Sequence, residues 1–234
     1  MDAMAQDLAG SLVKKLDGHS PSSRLLVGLA GYPASGKTTL ANLLKLHINK
    51  LQPGSCIVVP LDGWHYTRAQ LRTFHNAQEA MDRRGAEFTF DAETYLDFIK
   101  RLRASTIASS SPDSTERIFA PAFDHTLKDP TPDAICIARE RIVIIEGLYV
   151  ILGTERWRAA SEMLDERWLI DVDVSQASTR IVKRHVLTGI TKDADEATAR
   201  SKNSDMPNGQ FVLENSLPPT RRIISVEDAA VNTL

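Results

Sequence analysis

Five short runs of mostly apolar residues recur along the chain: RLLVGLA (24–30), CIVVP (56–60), RIVIIEG (141–147), RWLIDVD (167–173) and RRIIS (221–225). They are continuously apolar rather than alternating, as strands covered on both faces require. Between them apolar residues return at helical spacing. Residues 37–50 carry Leu40, Leu43, Leu44 and Leu46, and residues 91–104 carry Tyr95, Phe98, Ile99 and Leu102 behind Asp91, placed as an N-cap. Ser175 is placed in the same way before a helix through Ile181 and Val182. At the N-terminus, Ala5, Leu8, Ala9, Leu12, Val13 and Leu16 mark an amphipathic helix. Strand and helix patterns that alternate in this way predict an α/β fold, a parallel sheet wrapped by helices. The Ser-rich stretch at 105–116 reads as a surface loop. With no internal repeat and no composition break, one domain over 1–234 is expected.

Composition narrows the class. The chain has 234 residues, 42% hydrophobic and 25% charged, which suits a globular protein with a core. A net charge of −2 offers no basic field for nucleic acid. No apolar stretch is long enough to span a membrane, and the N-terminus, with its early acids, does not read as a signal peptide. Cys56 and Cys136 both lie in apolar runs without metal-ligand spacing, so both are expected as buried thiols in a reducing, cytoplasmic setting.

One motif carries chemistry outright. GYPASGKTT (31–39) fits G-x-x-x-x-G-K-[ST] through Gly31, Gly36, Lys37 and Thr38, after a strand pattern and before a helical one. Glycines let the backbone fold around a phosphate, and N–H groups at a helix N-terminus bind the anion. Gly31, Ala34, Ser35, Gly36, Lys37, Thr38 and Thr39 are therefore the expected nucleotide-binding residues. Lys37 would reach the β- and γ-phosphates, and the Thr38 hydroxyl would ligate Mg²⁺. A P-loop needs a further acid near its metal, and Glu146 closes the RIVIIEG run where a strand's carboxyl end meets the nucleotide crevice. Asp62, in PLDGWHY (60–66), closes another. It would suit an ordinary turn, or a base that takes the proton of a substrate hydroxyl.

Together these stretches resemble the phosphoribulokinase/uridine kinase family of P-loop kinases, in its uridine-kinase-like branch, and are also similar to bacterial-type pantothenate kinase. The resemblance rests on GYPASGKTTLA, LDGWHY, RRGAEFTFDAETY, PAFDH and VIIEGLYV in order, with STRIVKRHVLTG similar to the family's arginine-bearing lid. It implies a three-layer P-loop NTPase fold with a five-stranded parallel sheet of order 2-3-1-4-5 and a mobile helical lid around 180–210. It makes Asp62 the catalytic base, close enough to the metal to share it, and puts Glu146 near Mg²⁺. ATP and Mg²⁺ are the implied cofactors.

The acceptor is not named by these residues. Gly85-Ala86-Glu87-Phe88 lacks the acid that holds a ribose diol in uridine kinases, Phe123 replaces their tyrosine, and Arg83-Arg84-Gly85 only partly matches pantothenate kinase. His65, Tyr66, Arg84, Asp124 and His125 are candidate acceptor residues. Arg180 and Arg184 share a helical face and would neutralise charge on the transferred phosphoryl group, with Arg200 an alternative. Trp64, Trp157 and Trp168 read as packing residues. The expected activity is transfer of the γ-phosphoryl group of ATP to a hydroxyl of a small metabolite such as a nucleoside, a sugar or a pantothenate-like compound, by a monomer or homodimer. The alternative is an ATPase or nucleotide switch acting on a macromolecular partner, although the guanine signature N-K-x-D is missing.

Overall fold

The computed structural model describes residues 1–107 and 116–226. Helix α1 (Asp2–Asp17) buries Ala5, Leu8, Ala9, Leu12 and Leu16 along one stripe. It leads to strand β1 (Leu25–Gly31), buried at every residue, and helix α2 (Lys37–Leu51). Strand β2 (Cys56–Pro60) ends in a 3-10 turn at Leu61–Trp64. The short helices α3 (Arg68–Leu71) and α4 (Ala77–Asp82) follow, α3 opened by a capping box between Thr67 and Gln70. Helix α5 (Ala92–Ala104) is capped by Asp91, whose carboxylate accepts from Thr94 N at 3.1 Å.

Strands β3 (Ile118–Asp124) and β4 (Asp129–Ile137) form an antiparallel hairpin that the apolar pattern did not reveal. Then come β5 (Ile142–Glu146), α6 (Glu155–Glu162) and β6 (Glu166–Asp171). Helix α7 (Val174–Leu187) is capped by Asp173, which accepts from Ser175 N and Gln176 N, so the cap lies two residues before the expected Ser175. Helix α8 (Ala194–Arg200), a π-helical turn at Ser201–Asp205, helix α9 (Met206–Asn215) and strand β7 (Arg221–Ile224) complete the order.

Five parallel strands make the main sheet in the order β2-β5-β1-β6-β7. The numbering departs from the expected one because the hairpin intervenes as a separate two-stranded sheet. Numbered among themselves, the five strands run 2-3-1-4-5.

Alternate residues of β1 enter opposite layers. Leu25, Val27 and Leu29 pack with Leu12, Leu40, Leu44 and Trp168 under α1 and α2. Leu26 and Ala30 join Tyr95, Phe98, Tyr149 and Trp157 on the side of α5 and α6. Each fully buried Leu or Phe contributes about 1.5–3 kcal/mol, so these two layers fix the sheet's edge in place. All three tryptophans are buried, as expected of packing residues.

Three expectations need correction. Leu46 is 48% exposed, off the buried stripe of α2, and Cys136 is exposed on the hairpin while Cys56 is buried. Strand β2 is only partly buried because it is the sheet's edge, where Pro60, lacking an N–H, is tolerated. Of the expected surface loop at 105–116, residues 108–115 lie outside the described residues.

Candidate active site

The carboxyl ends of β1, β2 and β5 meet at one edge of the sheet. Leu29 and Pro60 are both register partners of Glu146. Past β1 the chain makes a tight loop before α2 starts at Lys37. A side chain at Gly31 would sit 2.9 Å from the Ile170 carbonyl and 2.8 Å from Ser35 Oγ. Gly36 has φ 94°, in the left-handed region, and Ala34 takes φ 59° despite its side chain. The loop thus holds Ala34, Ser35, Gly36, Lys37, Thr38 and Thr39 around the N-terminus of α2, where free N–H groups favour an anion.

Lys37 Nζ donates to the Gly31 carbonyl at 3.1 Å and to the Tyr32 carbonyl at 2.9 Å, folding the side chain back over its own loop. Desolvation lowers its pKa to about 8. The Arg184 charge pushes the same way, while the Glu146 and Asp62 carboxylates oppose both. Thr38 Oγ1 donates to Glu146 Oε1 at 3.2 Å. Glu146 is 7% exposed, and burial raises its pKa, with the Asp62 charge adding to the rise and Lys37 countering it. Lys37, Glu146, Asp62 and Arg184 are therefore one electrostatic group. Hydroxyl and carboxylate oxygens are the donor types that suit Mg²⁺.

Asp62 lies in the 3-10 turn two residues past the end of β2 and is exposed, so it is not the last residue of a buried strand. Gly63 is required there, because a side chain would come within 2.2 Å of the Pro121 carbonyl on the hairpin. His65 Nδ1 lies 2.8 Å from the Asp62 carbonyl. A carbonyl only accepts, so Nδ1 carries the hydrogen and Nε2 of the neutral ring is an acceptor. Desolvation lowers the His65 pKa, helped by Arg84 and His125 and opposed by Asp62. The His65 ring packs against Phe90 at 3.9 Å and Phe123 at 5.1 Å between centroids. Tyr66 packs its ring edge-on against Phe74.

The remaining candidates divide. Arg84 lies 5.4 Å over the Phe123 ring and donates to the Tyr66 carbonyl at 2.9 Å, the Asp129 carboxylate at 2.7 Å and the Lys128 carbonyl. Its Nε is buried and has no hydrogen-bond partner among the described residues. Asp124 is committed to the hairpin turn, accepting from Thr126 N at 2.7 Å and Leu127 N at 3.0 Å, bonds that lower its pKa. His125 is exposed at the turn, its ring 5.3 Å from that of Phe123.

Arg180 and Arg184 share with Ala34, Lys37, Thr38 and Thr39 a cavity of about 300 Å³. Arg180 Nη1 donates to Ser225 Oγ at 2.9 Å, and that hydroxyl donates to the Ser35 carbonyl at 3.0 Å. Arg200 ends α8, exposed, and is not among the residues lining that cavity. The helices after α7 are tied in as well. His185 Nε2 lies 2.8 Å from Asp205 Oδ2, and Tyr32 OH donates to the Met206 carbonyl at 2.9 Å. A larger cavity of about 490 Å³ lies between α5 and the hairpin. It is lined by His65 and Tyr66 but by none of Lys37, Thr38, Asp62 or Glu146.

Sequence reasoning missed Ser225 and Asp129. Their partners lie 190 and 45 residues away, so no local pattern marks them.

The chain is similar to known proteins over most of its length. Over 159 residues the chain is 42% identical to the "ATP-dependent kinase-like protein notR'" of Aspergillus versicolor, covering 68% of this chain and 90% of that one. Over 199 residues it is 37% identical to the "Putative uridine kinase C227.14" of Schizosaccharomyces pombe, covering 84% of this chain and 81% of that one. Among solved structures it superposes with a TM-score of 0.79 on the "putative fructose transport system kinase" from Silicibacter sp. TM1040, at 28% identity over 93% of this chain and 98% of that one. Residues 26–184 match the Phosphoribulokinase / Uridine kinase family, and this chain belongs to it.

Proposed function

We propose that the protein transfers the γ-phosphoryl group of ATP to a hydroxyl of a small molecule. The observation that supports this best is the contact of Thr38 with Glu146 beside a loop shaped for phosphate, where Lys37 and Arg184 of α7 line one cavity and Asp62 is near enough to act on the Lys37 charge. Backbone N–H groups of residues 34–39 cradle the phosphates, and the Lys37 ammonium leaves the Gly31 and Tyr32 carbonyls to meet them. Thr38 and Glu146, with Asp62 close by, would hold Mg²⁺, which when bound would neutralise phosphate charge. Asp62 accepts the proton of the attacking hydroxyl. Arg184, exposed above the loop, meets the charge that develops on the transferred group, and Arg180 supports the nucleotide side through Ser225. The segment around 180–210 acts as the lid over a single domain.

The acceptor binds between Asp62 and the hairpin, where His65, Phe123 and Arg84 form the wall. The relatives' names point to nucleosides and sugars. Exposure of Asp62 to solvent supports a second reading, an ATPase in which water takes the acceptor's place. The deciding experiment offers [γ-³²P]ATP with uridine, D-fructose, D-glycerate or pantothenate. Label in one of these compounds establishes the kinase. Label in inorganic phosphate alone, at a rate no compound changes, establishes the ATPase.

A further inference from the structure

The hairpin of β3 and β4 is held at its two ends by different means. At its base Ile118, Ala120 and Ile137 are fully buried in the core. Its tip is open, with Leu127 60% exposed, and among the described residues the hairpin forms a two-stranded sheet apart from the main one. A two-stranded hairpin is marginal by itself, so the tip needs its own attachment.

One carboxylate and two neighbouring carbonyls provide it. Asp129 accepts from Arg68 N at 2.9 Å, Arg68 Nε at 3.3 Å and Arg84 Nη2 at 2.7 Å. The same two arginines reach the neighbouring tip carbonyls, Arg68 that of Leu127 at 2.9 Å and Arg84 that of Lys128. Arg84 also donates to the Tyr66 carbonyl at 2.9 Å. Three successive tip residues are thus bound to two residues outside the hairpin, Arg68 and Arg84. From there a continuous chain of contacts leads to Asp62: Arg84 over the Phe123 ring, Phe123 against His65, and His65 on the Asp62 carbonyl.

We propose that Asp129 is the positioning residue of the acceptor side. Through Arg68 and Arg84 it holds the hairpin tip, and with it Phe123, against the loop that carries Asp62, and so sets the width of the acceptor site. Arg84 then serves acceptor binding chiefly through the hairpin. This role for Asp129 rests on the kinase reading for its consequence in transfer, but the clasp itself can be measured without an acceptor.

Hydrogen exchange of the full chain, read by mass spectrometry, tests the clasp. Asp129→Ala should speed exchange at residues 123–129 and 65–68 by about tenfold or more, since charged hydrogen bonds are lost on both sides. The hairpin base should be unchanged, and affinity for a fluorescent ATP analogue should stay within about twofold. Adding Arg84→Ala should give little more, as both residues serve one attachment. Unchanged exchange at the tip, faster exchange confined to the hairpin, or faster exchange throughout the chain would each overturn the proposal. In the transfer assay, Asp129→Ala should raise KM for the phosphorylated compound about tenfold with KM for ATP nearly constant. An equal rise in both would reduce Asp129 to a general stabiliser. If none of the four compounds is phosphorylated, the kinase reading fails while the exchange result still decides the clasp.

Discussion

Thr38 Oγ1 donates to Glu146 Oε1 at 3.2 Å, joining the first turn of α2 to the carboxyl end of β5 across 108 residues of sequence. The contact sets a hydroxyl and a buried carboxylate side by side at the mouth of the phosphate loop. Glu146→Gln keeps an oxygen that accepts from Thr38 but removes the charge. Apparent Mg²⁺ affinity in ATP turnover should fall about 10–100-fold, with the fold intact by circular dichroism. Unchanged Mg²⁺ dependence would remove Glu146 from the metal site.

Lys37 gives the site a pH limit. Its pKa of about 8 belongs to the free protein, and bound phosphate, being anionic, raises it. The protonated form binds ATP better, so affinity is full below about pH 8 and declines as pH rises through it. Between pH 7.5 and 9.5 the Kd of a fluorescent ATP analogue should rise about tenfold. Lys37→Ala should abolish that limb and lower turnover about 10²–10³-fold. A flat profile in the unmodified protein would show that Lys37 does not meet the phosphates.

The two arginines of α7 should separate. Arg184 influences both Lys37 and Glu146, whereas Arg180 is bonded to Ser225 and Gln176. Arg184→Ala should lower kcat more than it raises KM for ATP, and Arg180→Ala the reverse, by steady-state kinetics. Equal effects would mean that the helix acts as a unit.

Much of this arrangement is legible in the sequence. The runs that became β1 and β5 are apolar at nearly every residue because helices cover both faces, and the phosphate loop is local in sequence. Strand β2 reads as buried, yet its edge position depends on neighbours that periodicity does not encode. The hairpin is hidden for a physical reason. Its strands, IFAPAFD and DPTPDAICI, contain three prolines and face solvent along much of β4, so they carry no continuous apolar signal. Asp124 was legible as an acid beside the acceptor loop, but its bonds to Thr126 and Leu127 make it a turn former. Ser175 and Asp173 are equally good caps by type, and only side-chain geometry selects Asp173.

Gly63 joins the acceptor loop to the hairpin by close approach. Gly63→Ala would put a methyl group within 2.2 Å of the Pro121 carbonyl, and neither backbone can yield without moving the other. The variant should lose about 1–3 kcal/mol of stability, lowering Tm by several degrees in calorimetry. A Tm within 1 °C of the parent, as an order-of-magnitude bound, would show that the hairpin is free to move away.

Asp62 is the residue on which the kinase account turns. Asp62→Asn keeps the shape of the 3-10 turn and the carbonyl that holds His65, but removes the base. The most direct measurement is single-turnover transfer of ³²P from bound ATP to the compound labelled most rapidly among uridine, D-fructose, D-glycerate and pantothenate, beside ATP affinity in the same preparation. The account predicts transfer slowed about 10²–10⁴-fold, towards the lower end because phosphoryl transfer has a loose transition state, with ATP affinity nearly intact. Transfer at the parent rate would make Asp62 a turn residue, and label appearing only as inorganic phosphate in the unmodified protein would contradict the kinase assignment itself.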